Sequence, residues 1–408
     1  MSESPAQVAR APNALFAVAL ASISLIGPLA IHLFLPAIPA VKAALDLSDA
    51  LAQLTFSVAL LGMGGANLFY GALSDRFGRR PLLLSGLCLF LVGSFVSLLA
   101  TSIWVLVAGR LLQAIGAGCG VTLARAIASD VYGQRSLAKA IAYLTMFYTL
   151  GPMISPLIGG ILIDAYGWRS IFVFAILVGG LILVNAYGAV FETRSVRQAA
   201  SPKVLLQGFG ELFGEARFMS FVLQTGFSTG TFLALAAAAS SLMKELLDRP
   251  SSEFGVYFLL FPLGLLSGNF ISTRLSGRFA NESMVLAGST MSLSTIAIQS
   301  GFLLAGHVTP LTLFLPGFLI SFAQGIALPF SQAGAIAVRP HLAGAAAGIG
   351  VLAQNLCGAG FVQLYGLVAN GTPLPLVATT SISAFLCFLA GAAAYRLRQP
   401  PTAPGRAD

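Results

Sequence analysis

Charge is scarce in this 408-residue chain, and most of it sits at the margins of long apolar runs. Only 9% of the residues are charged and 57% are hydrophobic, whereas a water-soluble domain carries about a quarter charged residues. Lipid must therefore be the solvent for most of the surface. An ionisable group left inside an apolar run is then a functional candidate, because charge in hydrocarbon is expensive. Runs of about 20 residues, the length a helix needs to cross a bilayer, recur along the whole chain. They predict an all-α membrane protein of twelve spans, at 14–38, 51–73, 81–100, 103–127, 139–163, 168–191, 217–243, 254–274, 283–306, 309–336, 343–369 and 373–396. The runs are too long and continuous for the short alternating strands of a membrane barrel.

The net charge of +8 raises the question of nucleic acid, and the distribution of charge answers it. With both termini in the cytoplasm, 17 of the 22 Lys and Arg fall on the cytoplasmic side, among them Arg76, Arg79, Arg80, Arg135, Lys139, Arg194, Arg197, Lys203, Arg274, Arg278, Arg339 and Arg396. Only Lys42, Arg169, Lys244 and Arg249 fall outside, and Arg110 lies within a span. This is the positive-inside bias of a bilayer protein, with lipid and not nucleic acid as the partner. The first run is too long, and preceded by too little positive charge, for a cleavable signal peptide. Cys88, Cys119, Cys357 and Cys387 all lie within spans with no metal or disulfide spacing. They read as packing residues, and no metal or cofactor is expected.

The longest polar interruption, 192–216, carries Glu192, Arg194, Arg197, Lys203, Glu211 and Glu215 alongside Val204, Leu205, Leu206, Phe209, Leu212 and Phe213. It reads as a cytoplasmic linker containing an amphipathic helix laid on the membrane face. It divides the chain into a tail (1–13), a six-helix bundle (14–191), the linker (192–216), a second bundle (217–396) and a second tail (397–408). A faint repeat joins the bundles: Gly78-Arg79 and Gly277-Arg278 stand 199 residues apart, although Arg274 occupies the place equivalent to Asp75. Two related six-helix bundles are the architecture of many secondary transporters.

Four segments sharpen this reading. In Gly71-Ala-Leu-Ser-Asp75-Arg76-Phe-Gly78-Arg79-Arg80-Pro81, the glycines permit close helix approach and a tight turn. Asp75 accepts hydrogen bonds from a helix N-terminus or an arginine, and Arg76, Arg79 and Arg80 anchor the loop in headgroups. In Arg110-Leu-Leu-Gln113-Ala-Ile-Gly116-Ala-Gly118-Cys-Gly120, Arg110 and Gln113 share a helical face, while Gly116 and Gly120 permit tight packing on another helix. Arg110 lies roughly 10 Å into its span, so snorkelling to the nearer surface remains an alternative. Gly151-Pro152-Met-Ile-Ser155-Pro156-Leu-Ile-Gly159-Gly160 is a bendable helix with a small-residue face. Leu33-Phe-Leu-Pro36-Ala-Ile-Pro39 closes the first span.

The first segment resembles the signature between helices 2 and 3 of the major facilitator superfamily, where it acts as a conformational latch; that role is carried onto Gly71, Asp75, Arg76, Gly78 and Arg79. The second resembles the family's helix-4 motif, whose arginine is associated with proton coupling. The third is similar to the exporters' helix-5 motif, through Gly151, Pro152, Pro156, Gly159 and Gly160, with Ser155 in place of a glycine. The fourth, with Ser129-Asp130-Val131-Tyr132 and Gly167-Trp168-Arg169, looks like the bicyclomycin and chloramphenicol resistance branch of the drug:proton antiporters. The likeness is close over 15–192 and only architectural beyond. That branch carries an acidic residue where this chain has His32.

No Asp or Glu lies in the interior of a predicted span; of the ionisable groups only His32 and Arg110 do, at similar depth, and they are expected to face one another across a central cavity. Two nitrogen bases without an acid favour a neutral or anionic substrate. Histidine, with an ordinary pKa of about 6.5, is a competent proton carrier; a neutral histidine bonded within the bundle is the alternative. Gln324 and Asn355 are candidate cavity residues, followed by Ser24, Gln224, Gln299, Gln332 and Gln354, with Phe147, Tyr148, Tyr257 and Phe330 as aromatic surface; each also serves as helix-packing glue. The sequence holds none of the nucleophile, acid-base or phosphate-loop constellations of an enzyme or ATP-driven pump. It points to a transporter acting as a monomer in a bacterial inner membrane. The expected activity is proton-driven efflux of a small-molecule substrate, with import or facilitated passage of an organic anion or siderophore-like metabolite as the alternative.

Overall fold

The computed structural model describes residues 14–193 and 202–398. Arg194, Arg197 and most of the predicted terminal tails lie outside the described residues, as do the side chains of Arg135 and of Lys203 to Leu206. Twelve long helices follow in order: α1 (Ala14–Ala44), α2 (Asp49–Phe77), α3 (Arg79–Leu98), α4 (Ile103–Val131), α5 (Gln134–Tyr166) and α6 (Ser170–Ala189); then α7 (Ala216–Glu245), α8 (Ser251–Leu275), α9 (Asn281–Leu304), α10 (Pro310–Val338), α11 (Ala343–Val368) and α12 (Leu374–Arg396). Among the described residues no strand occurs. Eleven of the helices are long and apolar enough to cross a membrane. The exception, α9, has 24 residues but is rich in Ser and Thr. Ser289, Thr290 and Thr295 each donate back to the carbonyl four residues earlier, which satisfies the hydroxyls inside the helix and suits it to an apolar setting.

Three helices are broken where the sequence removes a backbone donor or a side chain. In α1, a 3-10 turn at Leu35–Ala37 separates Ala14–His32 from Ile38–Ala44. Pro39 has no N–H for the Leu35 carbonyl. That oxygen accepts instead from Ile38 N–H and, across the molecule, from the Ser240 hydroxyl of α7 at 2.8 Å. α4 is interrupted at Gly118 and α8 at Leu259, three residues before Pro262.

The same helix pairings recur six helices on. α2 and α3 pack on α4 as α8 and α9 pack on α10; α1 packs on α5 and α6 as α7 packs on α11 and α12; and α3 meets α6 as α9 meets α12. Across the middle, α2 packs on α11 and α5 on α8. These relations are those of two like halves about a pseudo-two-fold axis. The turn predicted as a repeat obeys it: Gly78 and Gly277 both take left-handed φ values, +99° and +77°. The second copy keeps the turn without the first copy's ion pairs, since Arg278 is exposed and Arg274 stacks on Phe270.

Lipid gives helices little reason to associate beyond close packing, and glycine supplies it here. A Cβ on Gly93 of α3 would lie 2.1 Å from Gln113 N of α4, and one on Gly116 would lie 2.3 Å from Phe90 N. Gly120 packs on Ile23 O of α1 at 2.7 Å by the same measure, so both glycines of the Arg110 segment act as expected.

The linker contains a helix, Pro202–Phe213. Part of its described face docks on protein, and Phe213 stays exposed. Leu212 is fully buried with Phe218 and packs in a cluster with Leu342, while Arg339 pairs with Glu211 at 3.2 Å and with Glu215. The expected linker helix is present, and Glu211, with Glu215 just beyond the helix, finds an arginine on the end of α10.

Gly93→Ala and Gly116→Ala should each cost ~1–3 kcal/mol by wedging α3 from α4. The expected result is a lower melting temperature in detergent than for Gly65→Ala, whose added methyl meets nothing within 4 Å.

Candidate functional site

Three groups of residues bear on function: one inside the first half, one at the Gly78 end, and one where the halves meet at the opposite, far end.

Arg110, on α4, is buried against α1, α2 and α6. Its Nη1 donates to Ala30 O at 2.8 Å and to Gln113 Oε1 at 2.5 Å, and its Nε donates to Thr55 O at 3.4 Å. The guanidinium lies 4.3 Å from the Phe34 ring centroid, a cation–π contact strengthened by the absence of water. Gln113 passes the chain on to the Ser94 hydroxyl at 2.8 Å, and Ser94 to Phe90 O. Arg110 thus does not snorkel. Its Nη2 has no hydrogen-bond partner among the described residues. Arg110, Gln113, Ala30 and Phe34 line a void of about 10 Å³, roughly the space one water occupies. Among the described residues no carboxylate pairs with it.

His32 does not face Arg110. Ala30, Leu33 and Phe34 form the α1 face that lines the Arg110 void, and the His32 ring instead lies against Phe258 of α8, 6.2 Å between centroids. At about 100° per residue, position 32 lies about 200° round the helix from position 30, so His32 and the α4 residue Arg110 lie on opposite sides of α1. His32 is half-buried, with Nδ1 unpartnered among the described residues. Beyond it stands an aromatic cluster of the second half: Phe258 stacks on Phe261 at 4.8 Å, and Phe232, Phe254 and Phe314 complete the group.

The remaining candidates separate. Gln324 of α10 donates to Thr229 of α7 at 3.1 Å, within the second half. Asn355 of α11 bonds its own helix at Val351 O and presses on Gly64 of α2, where a methyl would lie 2.6 Å from its Cβ; it sits at the meeting of the halves. Ser24 bonds Leu20 O, Gln224 bonds Cys387, and Gln299 bonds Thr312 O, all as packing contacts.

At the Gly78 end, Arg79 is buried, and its fork holds Asp75 at 2.9 Å, Asp130 of α4 at 3.0 Å and the Ser74 hydroxyl. Glu192, just past α6, accepts from the backbone N–H of Arg79 and Arg80 at 3.0 and 3.3 Å and so caps α3. Arg80 reaches Tyr187 O at 2.9 Å. The expected headgroup anchoring by Arg79 gives way to an internal ion-pair network, because two carboxylates meet it inside the protein. Arg76 remains exposed over Phe77. Gly71 has open space where a Cβ would be and permits no close approach, whereas Gly78 needs its positive φ and lies against Glu192. Asp130 and Glu192 were not singled out as latch residues. The signal available was that they are acids at the predominantly basic end.

The α5 segment packs as a small-residue face. A Cβ on Gly151 would meet Pro28 at 2.2 Å, one on Gly159 would meet Leu33 O at 2.6 Å, and one on Gly160 would meet Ser251 O of α8 at 2.2 Å. Pro152 and Pro156 lie within this 33-residue helix, and Pro156 O touches Gly255 of α8. At the far end the halves are also joined by Lys42, which pairs with Asp49 at 2.7 Å and with Glu245 of α7 at 2.8 Å. Asp164 accepts from Ser251 and Ser252 N–H at 3.0 and 2.8 Å. Gln363 of α11 donates to Ala50 O at 3.0 Å, while its Oε1 and that of buried Gln53 lack partners.

Two pseudo-symmetric six-helix halves, joined across one end and carrying an arginine–carboxylate network at the other, are the architecture of a multi-pass membrane transporter. The chain belongs to the Major Facilitator Superfamily, whose family model matches residues 19–362. It is 29% identical to Multidrug resistance protein D of Escherichia coli (strain K12) over 338 residues, 81% of this chain and 83% of that protein. It is 28% identical to Multidrug resistance protein MdtL of Escherichia coli (strain K12 / DH10B), with 87% and 89% covered. Solved structures with the same fold include a D-xylose-proton symporter (TM-score 0.74, 14% identity, 92% and 97% covered). A second is a bacterial homologue of the human lysosomal transporter Spinster, inward-facing and unoccupied (TM-score 0.72, 19% identity, 95% and 98% covered).

Replacing Arg79 by Lys keeps the charge but not the fork that holds Asp75 and Asp130 together. Transport by Arg79→Lys should fall well below that of the parent, with folding intact by size-exclusion profile; an unchanged rate would show that the fork is not needed.

Proposed function

We propose that this transporter exports small, amphipathic, neutral or anionic compounds in exchange for protons, by alternating access. Its moving parts are two bundles, 14–191 and 217–396, joined by 192–216. In this reading it sits as a monomer in the inner membrane of a bacterium, with both termini cytoplasmic. The observation that carries the substrate class is one of charge. Every described carboxylate lies in a loop or in the first or last turn of a helix, and at mid-depth stand Arg110, without an acid, and His32. A cationic drug would find no counter-charge there, whereas a neutral or anionic one meets donors and aromatic surface. The drug-resistance relatives support efflux.

With the termini inside, the Gly78 end is cytoplasmic and the sealed end faces out. α5 exposes Tyr143, Met146 and Tyr148 towards the cytoplasmic end. This is an inward-facing arrangement, the state named for the Spinster homologue. His32 lies on the seam between the halves, at the base of the outer seal. There it would meet the outside when the seam opens and the inside when it closes. A half-buried imidazole whose Nδ1 has no hydrogen-bond partner among the described residues takes and releases one proton per cycle from that position, once the seam opens to water. Arg110, wired through Gln113 and Ala30 O to three helices, fixes the α1 backbone on which His32 stands.

The same lack of a described carboxylate at mid-span suits inward carriage of an organic anion, and flux measured in each direction under an imposed pH gradient separates that reading from export.

In proteoliposomes His32→Ala should abolish uphill transport driven by a pH gradient while leaving downhill exchange; full uphill transport would remove His32 from the coupling. Arg110→Met, close in volume, replaces a buried unpaired cation. It should leave the melting temperature unchanged or raised, yet lose most transport. A large fall in melting temperature would make Arg110 a structural residue instead.

A further inference from the structure

The latch residues at the Gly78 end have a counterpart at the far end that the drug-transport reading does not use. α2 ends Asp75-Arg-Phe-Gly78, with the glycine at φ +99°; α5 ends Asp164-Ala-Tyr-Gly167, with the glycine at φ +79°. Each helix thus closes on an Asp-x-aromatic-Gly turn, and the two turns stand at opposite ends of the molecule. Each helix is also the one by which its half packs against the other, α2 on α11 and α5 on α8. Nested three-helix repeats of inverted topology, in which α2 and α5 occupy equivalent places, account for the arrangement.

The two aspartates are in different states. Asp75 pairs within its own half, with Arg79. Asp164 reaches across: both of its oxygens take backbone N–H groups of Ser251 and Ser252, in the first turn of α8. The residue before that turn is Pro250, which has no side-chain cap to offer. Two of the donors a helix start leaves unpaired are therefore satisfied by a carboxylate of the other half. The backbones stand close enough beneath it that Gly160 and Gly255 admit no side chain.

We infer that Asp164 is a second latch, one that holds the far end shut by capping α8 in trans and must let go for that end to open. The inference rests on the alternating-access reading, but not on the substrate or the coupling ion. Opening leaves the start of α8 uncapped in the protein and returns its donors to water, so the bond biases the two-state equilibrium towards the closed far end without locking it.

The test places spin labels at Thr101→Cys and His307→Cys, exposed far-end loop positions in the two halves, in full-length protein whose four native cysteines are replaced by alanine. Pulsed dipolar distances then give the ratio of open to closed far ends without any substrate. Asp164→Ala should raise that ratio about fivefold, the factor lost with a helix cap of ordinary strength. Ser251→Pro removes one donor at a first-turn position that tolerates proline, and should shift the ratio in the same direction by less. An unchanged or lowered ratio in both variants, with melting temperatures like the parent's, would overturn the latch. If the ratio shifts while no compound is transported, the latch stands and the proposed drug efflux falls.

Discussion

Lipid accepts no hydrogen bonds, and that restriction organises the molecule. Backbone groups must be satisfied inside helices, and helices must find one another without a hydrophobic drive. Glycine answers the second demand, letting α3 and α4, or α5 and α8, touch backbone to backbone. Where proline frees a carbonyl in α1, a hydroxyl from the other half takes it. A break in one helix thereby becomes a bond between the two moving bodies, and α1 is tied to the seam at the level of His32.

Charge follows the same restriction. Ion pairs gather at the two ends, where water and headgroups lower the cost of a carboxylate, and each end uses them differently. At the Gly78 end none of the described pairs joins one half to the other: Arg79 fastens α2, α3 and α4, Arg217 pairs with Glu282 in the second half, and Arg339 ties α10 to the linker. At the far end Lys42–Glu245 and Asp164 cross between halves. One end therefore holds together as a unit in this state, while the other is held closed.

Much of this was legible in the sequence. Span lengths and apolar runs placed all twelve helices, including α9, where the Ser289, Thr290 and Thr295 hydroxyls hide in its own backbone. The Gly78 and Gly277 turns showed the repeat. What was not legible was pairing across distance. Arg79 meets Asp130 and Glu192, 51 and 113 residues away in sequence, and no periodicity links them. Depth in a span is readable from residue number, but the direction a residue faces depends on which neighbour its helix touches. For this reason His32 and Arg110 share a level and not a pocket. The linker helix meets a related limit, since an amphipathic face says that something apolar covers it and not how that cover divides between lipid and protein.

The closed seam has a cost written into it. His32 Nδ1, Gln53 Oε1 and Gln363 Oε1 are shut away there without partners, and each recovers hydration as soon as the halves part. Closure is in that sense cocked: the clamp of ion pairs and caps works against thirsty atoms beneath it. A seal so balanced can be tripped by a small input, such as one proton or one ligand contact, where a dry and fully satisfied interface would stay shut.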